Sequence, residues 1–97
     1  MKNRRVAITG IGAVSPIGND VQSTWCNLMA GESGIAEIRK FDASAFPCYI
    51  AAEVKQFKPS PEAITGKHNR FAMEFTKYAQ EAACKAFRDA GIKPTKQ

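Results

Sequence analysis

Residues 4–25 read RRVAITGIGAVSPIGNDVQSTW, and this stretch carries the decision about the fold. Arg5–Thr9, with Val6, Ala7 and Ile8 in succession, predicts a short buried strand. Gly10 and Gly12 follow at once as a turn-prone segment. Pro16 and Gly18 then break the chain before a helix. Asn19 or Asp20 is placed to cap that helix's first amides. From Val21 to Ala30 the residues Val21, Trp25, Leu28 and Met29 approximate an apolar stripe, and Gly31 supplies the stop. A strand, a glycine turn and a helix in this order argue for an α/β architecture.

Working outward, residues 32–47 (ESGIAEIRKFDASAFP) read as irregular, with Ile35, Ile38, Phe41 and Phe46 as packing anchors. Residues 48–54 (CYIAAEV) predict a second short strand, and Pro59, Pro61 and Gly66 interrupt regular structure after it. The strongest periodic signal runs from Arg70 to Ala90. Phe71, Phe75, Tyr78, Ala82 and Phe87 recur at helical steps there, flanked by Ala79, Ala83 and Ala86. Gly91 and Pro94 terminate it. A helix so rich in alanine expects neighbours on more than one side, yet only two strands are predicted to accompany it. Two strands leave edges that must be paired or covered. The expectation is therefore one segment, residues 1–97, that is not a complete domain.

Composition narrows the function classes. The chain has 44% apolar and 24% charged residues, a globular balance. Chain-length scaling allows a protein of 10.6 kDa to bury about 64% of its unfolded surface. The net charge of +5 is spread over separated groups, with no arginine-rich arm, so neither a specific nucleic-acid partner nor a membrane partner is expected. No stretch approaches a membrane-spanning length. Cys26, Cys48 and Cys84 are too far apart for a CxxC motif, and His68 is the single histidine. No metal site or cofactor is expected, and the cysteines read as small apolar residues of a reducing, cytoplasmic protein.

Three kinds of chemistry are tested against the residues. VAITGIG invites a nucleotide-binding reading, but Ser15 stands where the third glycine of GxGxxG belongs, and the lysine of a P-loop is missing. A cysteine nucleophile would need a neighbouring base or positive environment; the fold could bring His68 near any of Cys26, Cys48 and Cys84, but Cys84, on the predicted helix, reads more easily as a packing residue. Asp20, Asp42, Glu53, Glu74 and Asp89 form no evident acid–base pair, and Asp20 already has a capping role. The reading of the residues assigns no catalytic group.

Taken together, RRVAITGIGAVSPIGNDVQSTW, LMAGESGI, FDASAFP, IAAEVKQFKP and AFRDAGI resemble the N-terminal signature of the β-ketoacyl-carrier-protein synthases, nearest to the elongating type. The resemblance implies the N-terminal part of a thiolase-like α/β fold, in a subunit roughly fourfold longer that assembles as a homodimer. It further implies decarboxylative condensation of acyl and malonyl thioesters, in fatty-acid or polyketide synthesis, by the full-length protein. The family's catalytic cysteine, two histidines and lysine lie later in the fold, and none of Cys26, Cys48, Cys84, His68 or Lys67 matches them. In related enzymes, basic residues at the start of the second long helix contact the acidic acyl-carrier protein. Lys67 and Arg70 match two of those positions, while Phe71 replaces the next basic one. The chain alone is expected to be inactive. The alternative is a stand-alone carrier-binding or assembly module, with a nucleotide-binding protein ranked last.

Overall fold

A computed structural model of the chain describes residues 3–61 and 72–93. Its elements run α1 (Val21–Met29), β1 (Ile35–Glu37), β2 (Ile50–Ala52) and α2 (Glu74–Ala90). Asp20, not Asn19, caps α1. Its backbone is extended, and its carboxylate accepts 2.7 Å hydrogen bonds from the Ser23 amide and the Ser23 hydroxyl. The helix closes as expected, with Gly31 in the left-handed region at φ 74° and the Glu32 amide donating back to the Asn27 carbonyl at 2.9 Å.

Two expectations about strands are corrected. Arg5–Thr9 forms no ladder with any described residue, and Val6 and Ile8 are 94% and 86% exposed. A strand is defined by its partner, and local apolar content cannot provide one. Conversely, the stretch read as irregular holds β1, which pairs antiparallel with β2 in the register Ile35↔Ala52, Ala36↔Ala51 and Glu37↔Ile50. The second predicted strand is thus present but shorter than residues 48–54. The long loop between β1 and β2 hides the hairpin from a search for tight two-residue turns. Its base is tied by the Ile38 amide to the Tyr49 carbonyl at 2.9 Å and by both Glu53 carboxylate oxygens, which accept from the Arg39 and Lys40 amides. At its tip Phe41 and Phe46 meet edge to face at 5.9 Å.

Helix α2 starts at Glu74, later than the predicted Arg70, since Ala72 and Met73 are non-helical. Met73 is extended (ψ 165°) and offers no capping side chain. The first turn is instead secured from outside it. The Glu74 carboxylate accepts from the Lys40 ammonium at 2.6 Å and from the Tyr78 hydroxyl at 2.7 Å. The 17 residues span about 25 Å. At the other end Gly91, at φ 73°, and Ile92 donate to the carbonyls of Arg88 and Phe87, completing a Schellman motif.

Burial is sparse. Among the described residues only Ala43 (6% exposed) and Glu81 (2%) are buried. The accessible surface is 8639 Å², against about 5,500 Å² for a folded monomer of this mass. That corresponds to hiding about 44% of the unfolded surface rather than about 64%. The radius of gyration, 17.0 Å, likewise exceeds the roughly 12.5 Å of a compact chain of this length. The chain carries the order of an α/β fold, and among the described residues Ala43 is the one buried apolar side chain.

Candidate functional site

The glycine turn is a packing seam. A Cβ added at Gly10 would lie 2.6 Å from the Ala90 nitrogen and 2.7 Å from the Ala90 Cβ. One added at Gly12 would lie 2.7 Å from the Ala86 nitrogen and collide with the Ala82 carbonyl. Ala82, Ala86 and Ala90 stand four residues apart on one face of α2, so two glycines meet a row of alanines and backbone approaches backbone. Between them the Ile11 amide donates to the Asp89 carboxylate at 3.0 Å. In a nucleotide-binding turn such an amide would face a phosphate. Here a side-chain carboxylate takes that place and the helix fills the glycine faces, which removes the basis for that reading.

A polar network extends from the seam. Glu81, inside α2, accepts from the Ser60 amide at 2.7 Å and the Ser60 hydroxyl at 2.8 Å, and pairs with Lys85 at 3.6 Å. Burial would raise the Glu81 pKa, but the two Ser60 donors and the Lys85 ammonium outweigh it and hold the carboxyl below its ordinary value. Lys85 also donates to the Asn19 carbonyl. Asn19, passed over as a cap, uses its side-chain amide to bind the carbonyls of Lys55 and Gln56 at 3.1 Å each. The Lys55 ammonium returns to the carbonyls of Pro16 and Gly34, both at 3.1 Å. Phe57 and Tyr78 add an edge-to-face contact at 4.8 Å. Sequence reasoning missed the Glu81–Lys85 pair, although its i,i+4 spacing on a helix was the available signal.

The residues singled out for chemistry are dispersed. Cys26 and Cys48 are exposed, and Cys84 is half-buried on α2. The five carboxylates considered for acid–base work all have structural partners. Asp20 caps α1, Asp42 accepts from the Ser44 amide, Glu53 closes the hairpin, Glu74 binds Lys40, and Asp89 holds the seam. Hydrogen bonds from Ser23 and Ser44 lower the pKa of Asp20 and Asp42, and that from Lys40 lowers Glu74. No group of three metal-ligating side chains occurs among the described residues, and no described helix is long and apolar enough to cross a membrane. Lys67, His68 and Arg70 lie outside the described residues.

What the arrangement presents instead is uncovered apolar surface. Val6 and Ile8 precede the seam, and Trp25, Leu28 and Met29 project from α1. An open groove of about 570 Å³ between α1 and α2 is lined by Ile11, Val21, Trp25, Lys85, Arg88 and Asp89. Isolated apolar side chains on a surface are ordinary, but a set this large marks a face made to be covered.

Comparison with known proteins agrees with this picture. Residues 3–97 match the family model described as "Beta-ketoacyl synthase, N-terminal domain". The chain is 47% identical over 92 residues to 3-oxoacyl-(acyl-carrier-protein) synthase 2 of Coxiella burnetii, covering 95% of this chain and 22% of that protein. It is 44% identical over 91 residues to the protein of the same name from Staphylococcus aureus, strain COL, with 94% and 22% covered. The Vibrio harveyi protein is 39% identical over all 97 residues, which make up 23% of its length. Among solved structures, the ishigamide ketosynthase/chain length factor superposes with a TM-score of 0.63 at 33% identity, covering 95% of this chain and 23% of that one. The chain therefore spans about a fifth of the length of the curated relatives it matches. Its α/β arrangement is the N-terminal part of the thiolase-like ketosynthase fold. The match across almost the whole chain, the ordered motifs and the shared fold make this chain a member of the β-ketoacyl synthase N-terminal domain family.

Proposed function

We propose that the chain is the N-terminal scaffold segment of a β-ketoacyl-carrier-protein synthase, and that it performs no condensation by itself. The observation that carries this reading is the family match over residues 3–97 in a chain that exposes the surface a complete fold would bury. In the whole enzyme an acyl group held as a thioester accepts the carbanion released when a malonyl thioester loses CO₂. The products are a β-ketoacyl thioester two carbons longer and a free thiol. That chemistry needs a nucleophile and groups that stabilise developing negative charge, held together in one site. Cys26, Cys48 and Cys84 sit on separate parts of the chain, and no cluster of three metal-ligating side chains forms around any of them among the described residues. The segment contributes architecture: the seam on α2, the capped α1 and the exposed Val6 and Ile8 before the seam.

Lys67 and Arg70 are the proposed contribution to docking of an acidic acyl-carrier protein, by steering encounter through charge. Homodimer formation is likewise proposed at the level of the whole subunit. The test is direct. The purified chain, incubated with an acyl-carrier-protein thioester, is read by intact mass for acyl transfer. No mass increase is expected. Acylation abolished by replacing one of Cys26, Cys48 or Cys84 would overturn the reading. In the whole enzyme, replacing Lys67 and Arg70 together by alanine is expected to raise KM for the carrier severalfold with kcat unchanged, and an unaltered KM would remove the docking assignment.

A further inference from the structure

We infer that Lys40 is a positioning residue for carrier docking: from the loop between β1 and β2 its ammonium latches the first turn of α2 through Glu74 and Tyr78, and so sets where the chain bearing Lys67 and Arg70 enters that helix. This rests on the carrier-docking reading of Lys67 and Arg70 and adds the group that holds the helix start they precede.

The start of α2 needs such a group. A helix leaves its first amides without intrahelical partners. Met73, at the N-cap, is extended and offers no side-chain acceptor, so this end is prone to fray. Lys40 closes it from 34 residues away in sequence. Its ammonium donates to Glu74 Oε2 at 2.6 Å and to the Tyr78 hydroxyl at 3.1 Å, and that hydroxyl donates to the same Glu74 oxygen at 2.7 Å. The three groups form a closed ring of hydrogen bonds across one turn of the helix. The ammonium also lies 5.7 Å from the centre of the Tyr78 ring, against which Phe57 packs edge to face. The backbone end of Lys40 is fixed as well. Its amide donates to Glu53 Oε2 at 3.2 Å and the Arg39 amide to Glu53 Oε1 at 3.0 Å. Hairpin base and helix start are thereby referenced to one another.

Stability is not what this latch supplies. The Lys40 and Glu74 side chains are 47% and 64% exposed, and an ion pair so solvated adds little to folding. Placement is a different matter. Arg70 precedes Glu74 by four residues and Lys67 by seven. Loss of one helical turn moves the point where that chain meets α2 by about 5.4 Å. An ion pair opened from about 4 Å to about 9 Å keeps less than half of its Coulomb attraction. Encounter with an acidic carrier depends on that distance, whereas the chemistry of bound thioesters does not.

The test is condensation by the whole enzyme, with the acyl-carrier-protein thioester varied. Lys40→Met is expected to raise KM for the carrier about threefold with kcat unchanged. Lys40→Arg, which keeps a donating cation at that place, is expected to stay within about twofold of the parent. Glu74→Ala separates a latch from a direct contact. If Lys40 touched the carrier itself, removing the neighbouring anion would lower KM; the latch predicts a rise like that of Lys40→Met. Lys93→Ala removes a cation beyond the far end of α2 and is expected to leave KM where it was. Unchanged KM in both Lys40→Met and Glu74→Ala, beside a rise on replacing Lys67 and Arg70, overturns the latch and leaves the docking reading standing. A fall in KM for Glu74→Ala overturns it too, as does a loss confined to kcat. An unaltered KM after replacing Lys67 and Arg70 removes the docking reading, and the role of Lys40 with it.

Discussion

The eight residues from Arg5 to Gly12 are one continuous run in sequence and two different environments in space. The second half lies against α2 so closely that neither glycine has room for a methyl group. The first half stands clear of every described neighbour, with Val6 and Ile8 almost fully exposed. Val6 and Ile8 are on the exposed half, and the two glycines, with Ile11 between them, are on the packed half. Hydrophobicity therefore does not decide what this chain buries by itself. Backbone approach and hydrogen bonds hold the seam, while the apolar half waits for surface from elsewhere.

The sharpest way to break this contrast is to put a side chain into the seam. Gly12→Val faces the Ala82 carbonyl and the Ala86 nitrogen, which belong to helix backbone and cannot rotate away. A loss of about 3 kcal/mol is expected, at the upper end for overpacking. It should appear as lost protection of the Ile11 amide in hydrogen exchange. Glu81→Ala is next. It removes an acceptor that is 2% exposed and leaves the Ser60 amide and Lys85 without it, for about 2 kcal/mol in urea unfolding.

The same carboxylate predicts a pH dependence. Its folded pKa lies below the ordinary 4.5, so between the two values the unfolded state binds more protons. Its stabilisation is complete above the unfolded value and is lost as pH falls from there through the folded one. Urea midpoints measured downward from pH 6 should decline for the parent chain and decline less for Glu81→Gln. A flat parent profile would separate Glu81 from the seam's stability.

Asp20→Ala tests the neighbouring element. Loss of the cap on α1 is expected to cost about 1 kcal/mol and to lower helical circular dichroism. The smallest effect belongs to the exposed half. Val6→Ser with Ile8→Ser should change the stability of the isolated chain by no more than about 0.5 kcal/mol. A large loss there would mean that these residues are buried within the chain, and the contrast would collapse.

The features legible in sequence are those whose causes are local. A cap from Asn19 or Asp20 at the head of α1, Gly31 after it, and the Gly91 terminator of α2 each act within a turn of the helix they bound, and the fold chose Asp20. Of the alanine row on α2, only Ala86 was among the close-packing positions read from the sequence, with Ala79 and Ala83; the row Ala82, Ala86 and Ala90 and its glycine partners appeared only in the fold. The ordered motifs from Arg4 to Ile92 were enough to suggest the family that the comparisons then showed. The β1–β2 hairpin was half visible, because Ile50–Ala52 has strand character by itself and Ile35–Glu37 gains it only from pairing across a long loop. The start of α2 was placed too early because Phe71 stands one helical step before Phe75 in sequence, whereas Ala72 and Met73 are non-helical and the first turn is anchored from Lys40, remote in sequence. The polar network was invisible apart from its i,i+4 step, since Ser60 and Asn19 reach α2 only in the folded chain.

By itself, the sequence determined the two helices, their glycine stops, the class of fold and the family, because propensity, glycine stops and motif order are written within short spans of chain. Tertiary structure alone decided that Gly10 and Gly12 form a seam, that Asp89 occupies the place a phosphate would take, and that Val6 and Ile8 remain uncovered. The physical reason is that a glycine turn, a carboxylate and an apolar strand each suit several partners. Only the position of α2 selects among those partners.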